Sequence, residues 1–188
     1  MFEKILYNSK SIIKACSVLK NGGIIVYPTD TIYGFGCDGK NDDAIKKLNT
    51  IKNRSGPMSV LCPKINKALK WINLSNKDKN IVKNKLIAKS TVIVPVKKNI
   101  ASTLIKGKHN TLGLRISKHP FCKNLTDIYP NPITSTSVNR KGGIPLANPT
   151  IIAEEFSKDI NLLIEDGVIK GSGSKIYLFS KNGWKVLR

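Results

Sequence analysis

Four short polar stretches stand out in this chain because each adjoins or interrupts an apolar segment typical of a buried strand or helix. They carry hydroxyl groups, an aromatic ring and cationic side chains, which are groups that bind phosphates and carboxylates in proteins. The stretches are residues 28–34, 52–54, 111–115 and 135–139. Because strand ends are the usual ligand-binding positions of α/β sheets, these residues indicate a site for an anionic ligand.

Three of the cations in these stretches need an explanation. Lys52 and Arg54 follow a predicted helix and are two residues apart, so both can flank one phosphate group; a helix C-terminus also attracts cations through its dipole. Arg115 lies in a strand that is otherwise apolar. A buried arginine needs a partner, and here that partner is either a distant carboxylate or a bound anion.

Other kinds of chemistry have little support in this sequence. Two histidines and the lack of a Gly-x-Ser-x-Gly sequence argue against a catalytic triad, and the 12 acidic residues form no pair typical of acid–base catalysis. Cys16, Cys37, Cys62 and Cys122 lack the spacing of a zinc site, so we expect reduced, mostly buried thiols. The remaining cations, hydroxyl groups and backbone amides suit the orientation of a nucleotide and a small carboxylate.

Glycines at positions 34–39 match two phosphate-binding motifs in part. The dinucleotide fingerprint requires an acidic residue about 20 positions further on, and none occurs between Asp43 and Asp78. With Lys40 the glycines begin a P-loop, but Asn41 stands where that motif has Ser or Thr. We therefore reject both motifs and expect these glycines to form a turn that brings the backbone close to a ligand.

Helical and strand patterns alternate along the 188 residues, which favours an α/β fold with a mixed sheet and flanking helices. No linker or repeat divides the chain, so we expect one domain spanning 1–188. Helices are predicted over 12–19, 41–51, 65–71, 77–88, 119–129 and 150–157. Strands are predicted over 24–27, 58–61, 91–94, 112–116, 133–136, 162–164, 176–179 and 184–186.

The chain is strongly basic, with 32 Lys and Arg against 12 Asp and Glu. Only four of these cations are arginines, and the lysines are spread along the sequence with much Ile and Asn. Drift in an AT-rich genome explains that bias, and so does selection for contact with nucleic acid, so both interpretations stay open. No apolar run approaches the length of a membrane span, and the N-terminus has no signal-peptide pattern, so we expect a cytoplasmic protein without membrane contact.

Five motifs in succession resemble those of the YrdC/TsaC-type threonylcarbamoyl-AMP synthases. They are YPTDTIYGFGCD at 27–38, Lys52-x-Arg54, GLRIxxHP at 113–120, STSxN at 135–139, and Gly173-Ser174 with Arg188. Each motif alone is weak, but their order and spacing agree over nearly the whole chain. The resemblance implies a twisted YrdC-like sheet with a large concave surface, in a single domain without the additional C-terminal domain of some relatives.

The implied reaction joins L-threonine, bicarbonate or CO2 and ATP into threonylcarbamoyl-AMP and pyrophosphate, for threonylcarbamoyladenosine in tRNA. By this resemblance Arg115 pairs with the threonine carboxylate, and the hydroxyl groups of Thr31, Ser137 and Ser174 complete that pocket. The implied partners are the three substrates, downstream threonylcarbamoyl-transferase proteins, and tRNA or double-stranded RNA.

The same resemblance assigns the nucleotide to other residues. Lys52 and Arg54, the implied catalytic pair, contact the ATP phosphates, and Thr111, Asn139 and Arg188 bind the nucleotide. Mg2+ arrives with ATP, and no resident metal is implied. The chain departs from the family pattern in a loop between Arg54 and Pro57 that is about two residues shorter, in the sequence AKST at 88–91, and in Ala147, where a hydroxyl is common.

Two alternatives stay open. A basic concave surface of this fold can bind double-stranded RNA or tRNA through phosphate contacts, in RNA or ribosome maturation, without catalysis. A carbamoyl-adenylate enzyme acting on another acceptor is the second. The retained threonine-pocket residues favour the synthase, because RNA binding has no need of Thr31, Ser137 and Ser174 together.

Overall fold

Strands and helices alternate along the chain in the computed structural model, which describes residues 1–180 and 183–188. The strands are β1 (Glu3–Leu6), β2 (Ile25–Tyr27), β3 (Gly34–Gly36), β4 (Ser59–Leu61), β5 (Ser90–Pro95), β6 (Thr111–Arg115), β7 (Ile133–Ser137), β8 (Leu162–Glu165), β9 (Lys175–Ser180) and β10 (Gly183–Val186). The α-helices are α1 (Ser9–Lys20), α2 (Asp42–Ile51), α3 (Ile65–Trp71), α4 (Asn76–Lys85), α5 (Pro120–Ile128) and α6 (Pro149–Phe156).

The described strands form one sheet in the order β1-β8-β2-β3-β7-β4-β6-β5-β9-β10. The pairs β1/β8, β2/β8, β4/β6 and β5/β9 are parallel. The other neighbouring pairs are antiparallel. The predicted α/β fold with a mixed sheet is therefore confirmed.

Side-chain alternation gives the centre of this sheet two different faces. On β4, Val60 lies opposite Leu114 and Thr134 and belongs to the larger core, which also contains Ile45 and Leu48 of α2. The neighbouring residue Ser59 lies opposite Gly113 and Ser135 on the other face. Because small residues meet there, the second face leaves room for a cavity instead of packing against a helix.

A second core covers one end of that polar face. Leu61 and Ile133 continue the row of Ser59 and Ser135 and pack with Phe121 and Leu125 of α5. Helix α1 adds Leu19 to the same cluster, and Tyr27 of β2 stacks on Phe121 with ring centroids 5.9 Å apart. Helices α1 and α5 therefore cover that end of the face with apolar side chains.

Capping residues set the helix starts. The side chains of Asn8, Asn41, His119 and Asn148 accept backbone amides at the first turns of α1, α2, α5 and α6. Pro120 and Pro149 occupy first-turn positions, where the missing N–H costs no helical hydrogen bond.

None of the helices in residues 1–180 and 183–188 is long and apolar enough to cross a membrane.

Only one of the glycines at 34–39 lies in a turn: Gly39, where the Asn41 amide donates to the Asp38 carbonyl at 3.1 Å. Gly34 and Gly36 lie in β3, antiparallel to β2, and neither has a positive φ. A Cβ on Gly36 would lie 2.6 Å from a ring carbon of Tyr27, so glycine is required because the tyrosine ring occupies that side. At Gly34 and Gly36 the expectation of a turn was wrong, and at Gly36 a close cross-strand contact, rather than a special backbone conformation, requires the small residue.

The predicted end of α4 differs from the observed one. This helix ends at Lys85 and not at residue 88. The Ser90 hydroxyl accepts the Ile87 amide at 3.0 Å and lies 2.7 Å from the Lys85 carbonyl oxygen, so it takes over backbone groups that a longer helix would pair. The short strands β1 and β3 were not predicted.

Candidate functional site

A cavity of about 440 Å³ lies over the polar face of the central strands. Its walls come from β3 to β7, from the segment between β2 and β3, and from the C-terminal residues. The polar residues that line it are Thr29, Tyr33, Arg54, Ser59, Thr91, Thr111, Arg115, Ser135, Thr136, Ser137, Ser174 and Arg188. Three guanidinium groups and many hydroxyl groups therefore face one space, which suits an anionic ligand.

Arg115 of β6 is held by the segment that follows β2. Its Nη2 nitrogen donates to Asp30 Oδ1 at 2.6 Å, to Thr31 Oγ1 at 2.6 Å and to Thr29 Oγ1 at 3.1 Å. Arg115 and Asp30 form a buried ion pair, with side chains 7% and 9% exposed. The partner left open by the sequence is thus a distant carboxylate, although the buried Nε of Arg115 has no partner among the described residues.

The Asp30 carboxylate is charged and fixed. Burial alone would raise its pKa, but the hydrogen bond and charge of Arg115, the Lys118 amide and the Ser117 hydroxyl together hold that pKa below its ordinary value. Its two oxygens accept four donors: Arg115 and the Ser117 hydroxyl on Oδ1, and the amides of Lys118 and Lys89 on Oδ2.

The C-terminus of α2 separates Lys52 from Arg54. Asn53 between them has φ 47°, and the Arg54 and Asn53 amides donate to the carbonyls of Asn49 and Thr50, which is a Schellman motif. Because the left-handed residue reverses the chain direction, the two cations do not face the same space. Arg54 lines the cavity and donates to Thr136 Oγ1 at 3.2 Å.

Lys52 instead supports the end of β7 from within the protein. Only 3% exposed, its ammonium group donates to Ser137 O at 2.6 Å, Asn139 O at 2.8 Å and Asn139 Oδ1 at 2.9 Å. Burial and then the nearby Arg54 charge lower its pKa to about 8. Three acceptors thus use the three N–H groups of Lys52, and a direct contact between Lys52 and a phosphate stays a prediction.

The loop after β7 is tied together by Asn139 and Arg140. Asn139 Oδ1 also accepts the Ser137 hydroxyl at 2.6 Å, and its Nδ2 donates to Gly143 O at 2.7 Å. Arg140 donates to Ile51 O of α2 at 3.1 Å and pairs with Asp159 at 2.8 Å. Arg140, the arginine that the family resemblance left without a role, therefore joins this loop to the end of α2.

The opposite wall is built by the C-terminal strands. The hydroxyl groups of Ser174 and Thr91 are 2.7 Å apart, and Arg188 Nε donates to Ser174 O at 3.0 Å. The Arg188 guanidinium lies against Gly173, where a Cβ would be 2.8 Å from its central carbon. Thr111 begins β6 on the same side, and its hydroxyl donates to Lys108 O at 3.0 Å.

Comparisons with known proteins agree with this architecture. The Sua5/YciO/YrdC family model, described as telomere recombination, matches residues 17–188. The threonylcarbamoyl-AMP synthase of Riesia pediculicola is 33% identical over 161 residues, which are 82% of this chain and 86% of that protein. The chain belongs to the Sua5/YciO/YrdC family.

Solved structures of the family share the fold of this member. Escherichia coli YciO superimposes with a TM-score of 0.90 at 22% identity, covering 100% of this chain and 95% of YciO. Sua5 from P. abyssi, crystallised with L-threonine, gives a TM-score of 0.88 at 20% identity, covering 100% of this chain and 57% of Sua5. The family model and the 33% identical relative confirm the resemblance found in the sequence motifs, and these structures show the shared fold.

Six of the nine site residues assigned by the family resemblance line the cavity. They are Arg54, Thr111, Arg115, Ser137, Ser174 and Arg188. Thr31, Lys52 and Asn139 do not line it, but each contacts a lining residue through Arg115 or Ser137. Sequence reasoning missed the support given by Asp30 and Thr91, although Asp30 stands inside the first motif.

Each departure from the family pattern has a defined backbone conformation or hydrogen bond in the structure. Lys89 has φ 59°, a conformation that costs a non-glycine residue free energy, and its amide donates to Asp30 Oδ2 at 3.2 Å. The short loop between Arg54 and Pro57 contains Gly56 with φ 107°. The carbonyl of Ala147 accepts the Ile169 amide at 3.0 Å.

Proposed function

We propose that this protein is an L-threonylcarbamoyladenylate synthase, which condenses L-threonine, bicarbonate or CO2 and ATP into threonylcarbamoyl-AMP and pyrophosphate. The observation that carries the proposal is one cavity with two kinds of cation. Arg115 is paired with a carboxylate and surrounded by hydroxyl groups, whereas Arg54 and Arg188 reach the cavity without a carboxylate partner among the described residues. An amino acid and a polyphosphate need those two environments side by side. The Riesia pediculicola relative, which is named a threonylcarbamoyl-AMP synthase, supports the same activity.

The threonine subsite lies at Arg115. Its guanidinium pairs with the substrate carboxylate, while Thr31, Ser137 and Ser174 offer hydroxyl groups to the amino acid. P. abyssi Sua5 has been crystallised in complex with L-threonine, which supports threonine as the amino acid. Thr91 holds Ser174, and Thr31 is held by Arg115, so these groups are positioned before the substrate arrives.

The nucleotide subsite lies toward Arg54 and Arg188. Arg54 contacts the phosphates, Thr111 and Arg188 flank the nucleotide, and Lys52 and Asn139 hold the end of β7 beneath it. Magnesium arrives with ATP as part of the substrate and neutralises phosphate charge. The reaction requires no nucleophile from the protein.

The chemistry then proceeds by positioning and charge stabilisation. The uncharged threonine amine attacks CO2, the new C–N bond forms and the nitrogen loses a proton, which gives a carbamate. A carbamate oxygen attacks the α-phosphorus of ATP, the bond to the β-phosphate oxygen breaks, and pyrophosphate leaves in line. The cavity supplies alignment for both steps and cations for the charge that moves onto pyrophosphate.

Pyrophosphate release from ATP tests the proposal. Purified protein with magnesium and bicarbonate is compared without amino acid, with L-threonine and with L-serine. We expect release that depends on threonine, and threonylcarbamoyl-AMP detected by mass spectrometry in equal amount. Folded protein that releases no pyrophosphate in response to threonine would contradict the proposal.

RNA binding without catalysis makes the opposite prediction for one variant. Arg115→Ala should abolish threonine-dependent turnover in a synthase, whereas a protein that only binds double-stranded RNA or tRNA would keep its RNA affinity and show no turnover to lose.

We propose that the product passes to threonylcarbamoyl-transferase proteins in the cytoplasm, because a carbamoyl adenylate is an activated group donor.

Gly171→Ala should weaken threonine binding. A Cβ on Gly171 would lie 2.1 Å from the Thr31 carbonyl oxygen. Because that oxygen belongs to the backbone and not to a flexible side chain, the Thr31 backbone must move. We expect the KM for threonine to rise about tenfold, because Thr31 and Arg115 hold each other, with a small change in the KM for ATP. Steady-state kinetics with each substrate varied measures this.

Gly142→Ala is the matched control for that change. Gly142 has φ 79° and no atom within 4 Å of a Cβ, so alanine there costs backbone strain of about 1 kcal/mol without touching Thr31. Its KM values should equal those of the wild type. An unchanged KM for threonine in Gly171→Ala would show that the contact with Thr31 does not position the subsite.

A further inference from the structure

A protein that binds two different anions in a cavity with three arginines must determine which anion each arginine binds. Arg54, Arg115 and Arg188 all line the cavity. A triphosphate carries several negative charges and an amino-acid carboxylate only one, so by charge alone the phosphates would occupy every free arginine. A mechanism that gives each anion its own arginine is therefore needed.

Only one of the three arginines is neutralised by the protein. Arg115 forms its ion pair with Asp30, while Arg54 and Arg188 form none with the described residues. Asp30 does not itself line the cavity, so it acts on the ligand through Arg115. The net charge of the Asp30 and Arg115 pair is zero, which removes most of its attraction for a polyphosphate.

The ion pair also fixes which part of Arg115 is left for a ligand. Asp30, Thr29 and Thr31 all accept from Nη2, and the opposite terminal nitrogen, Nη1, has no hydrogen-bond partner among the described residues. Four donors from two chain segments, residues 115–118 and Lys89, hold the Asp30 carboxylate, so it cannot rotate away. The guanidinium therefore keeps directional N–H groups for a small carboxylate after its charge is balanced.

We propose that Asp30 is a specificity-determining residue, which reserves Arg115 for the amino-acid carboxylate and leaves the phosphates to Arg54 and Arg188. This inference rests on the proposed function, since it needs two anionic substrates in one cavity. Removing the Asp30 charge turns Arg115 into an unpaired cation, and the phosphates then compete with threonine for it.

Equilibrium binding of L-threonine with and without pyrophosphate tests this inference, measured by calorimetry on wild type and Asp30→Asn. In the wild type, saturating pyrophosphate should leave the threonine Kd nearly unchanged. In Asp30→Asn it should raise the apparent threonine Kd about tenfold and in competitive fashion, because phosphate now reaches Arg115.

Control variants separate charge from structure. Asp30→Glu keeps the negative charge at position 30. Ser117→Ala removes one hydrogen bond to Asp30 Oδ1 and leaves that charge unchanged. Both variants should therefore bind threonine independently of pyrophosphate. Asp38→Asn alters another carboxylate of low exposure, one bonded to Tyr129 and Asn131 and outside the cavity lining, and should do the same. Weaker threonine binding in Asp30→Asn without competition by pyrophosphate would overturn the inference and leave Asp30 a structural residue.

Arg54→Ala gives a measurement that does not depend on the folding of Asp30→Asn. Its Asp30 and Arg115 pair is intact, so pyrophosphate should bind more weakly and still fail to displace threonine. Displacement in this variant would overturn the inference. Wild-type protein that neither binds threonine nor releases pyrophosphate in response to it would instead refute the proposed function, and the inference with it.

Discussion

Replacing Arg115 by methionine is expected to lower kcat/KM for threonine at least about 100-fold, because the substrate carboxylate loses its charged partner in the cavity. The same change should lower the free energy of unfolding by about 3 to 5 kcal/mol, since Asp30 is left buried and charged without its counterion. Pyrophosphate release and denaturant unfolding measure the two effects separately.

A double variant distinguishes the catalytic loss from the structural one. Arg115→Met with Asp30→Asn removes both charges, so it should recover much of the lost stability. Its threonine-dependent turnover should stay absent, because no cation remains for the carboxylate. Lys123→Met, an exposed change on α5, should behave as the wild type in both assays. Recovery of turnover in the double variant would contradict the role of Arg115.

Lys52→Met is expected to lower kcat/KM for ATP about 100-fold and the free energy of unfolding by about 2 to 4 kcal/mol. Three oxygens at the end of β7 converge on one ammonium group, and methionine leaves them without a donor. Ser137, which lines the cavity, and Asn139, which accepts its hydroxyl group, then lose their positions. Lys47→Met changes an exposed lysine on α2, the helix that Lys52 follows, so it is the matched control and should change neither quantity.

Lys52→Arg separates support of β7 from direct contact with phosphate. Arginine keeps the charge, but its planar group does not fit three acceptors that converge on one nitrogen. Activity should therefore fall in this variant nearly as far as in Lys52→Met. Full activity in Lys52→Arg would contradict the supporting role and favour a direct phosphate contact.

The pKa of Lys52 gives this prediction a pH dependence of definite sign. The native value is about 8, against about 10.4 for an unfolded lysine. Between these values the unfolded state binds more protons, so the group's contribution to stability increases with pH across this window and is constant below it. The difference in unfolding free energy between wild type and Lys52→Met should therefore rise from about pH 8 toward pH 10. A flat difference would mean that the native pKa is not lowered.

Local sequence signals determined most of the secondary structure. Helix α2 begins at the cap Asn41 and carries Ile45, Leu48 and Ile51 on one face, and both features are visible in a short window. The same was true of the apolar strands β2 and β8. Strand β3 was missed because Gly34 and Gly36 have low strand propensity. Their place in the sheet depends on the ring of Tyr27, which a local pattern does not record.

The sequence by itself identified the family, the α/β sheet and six residues that line the cavity, because residue types and their spacing along the chain carry that information. Only the tertiary structure showed which cations face the cavity and which are paired within the protein. The φ of Asn53 turns Lys52 inward and Arg54 toward the cavity, although they are two residues apart. Asp30 and Arg115 form an ion pair across 85 positions, and Ser174 meets Thr91 across 83. Such contacts depend on the path of the whole chain, which determines which buried charge is neutralised and which stays free for a ligand.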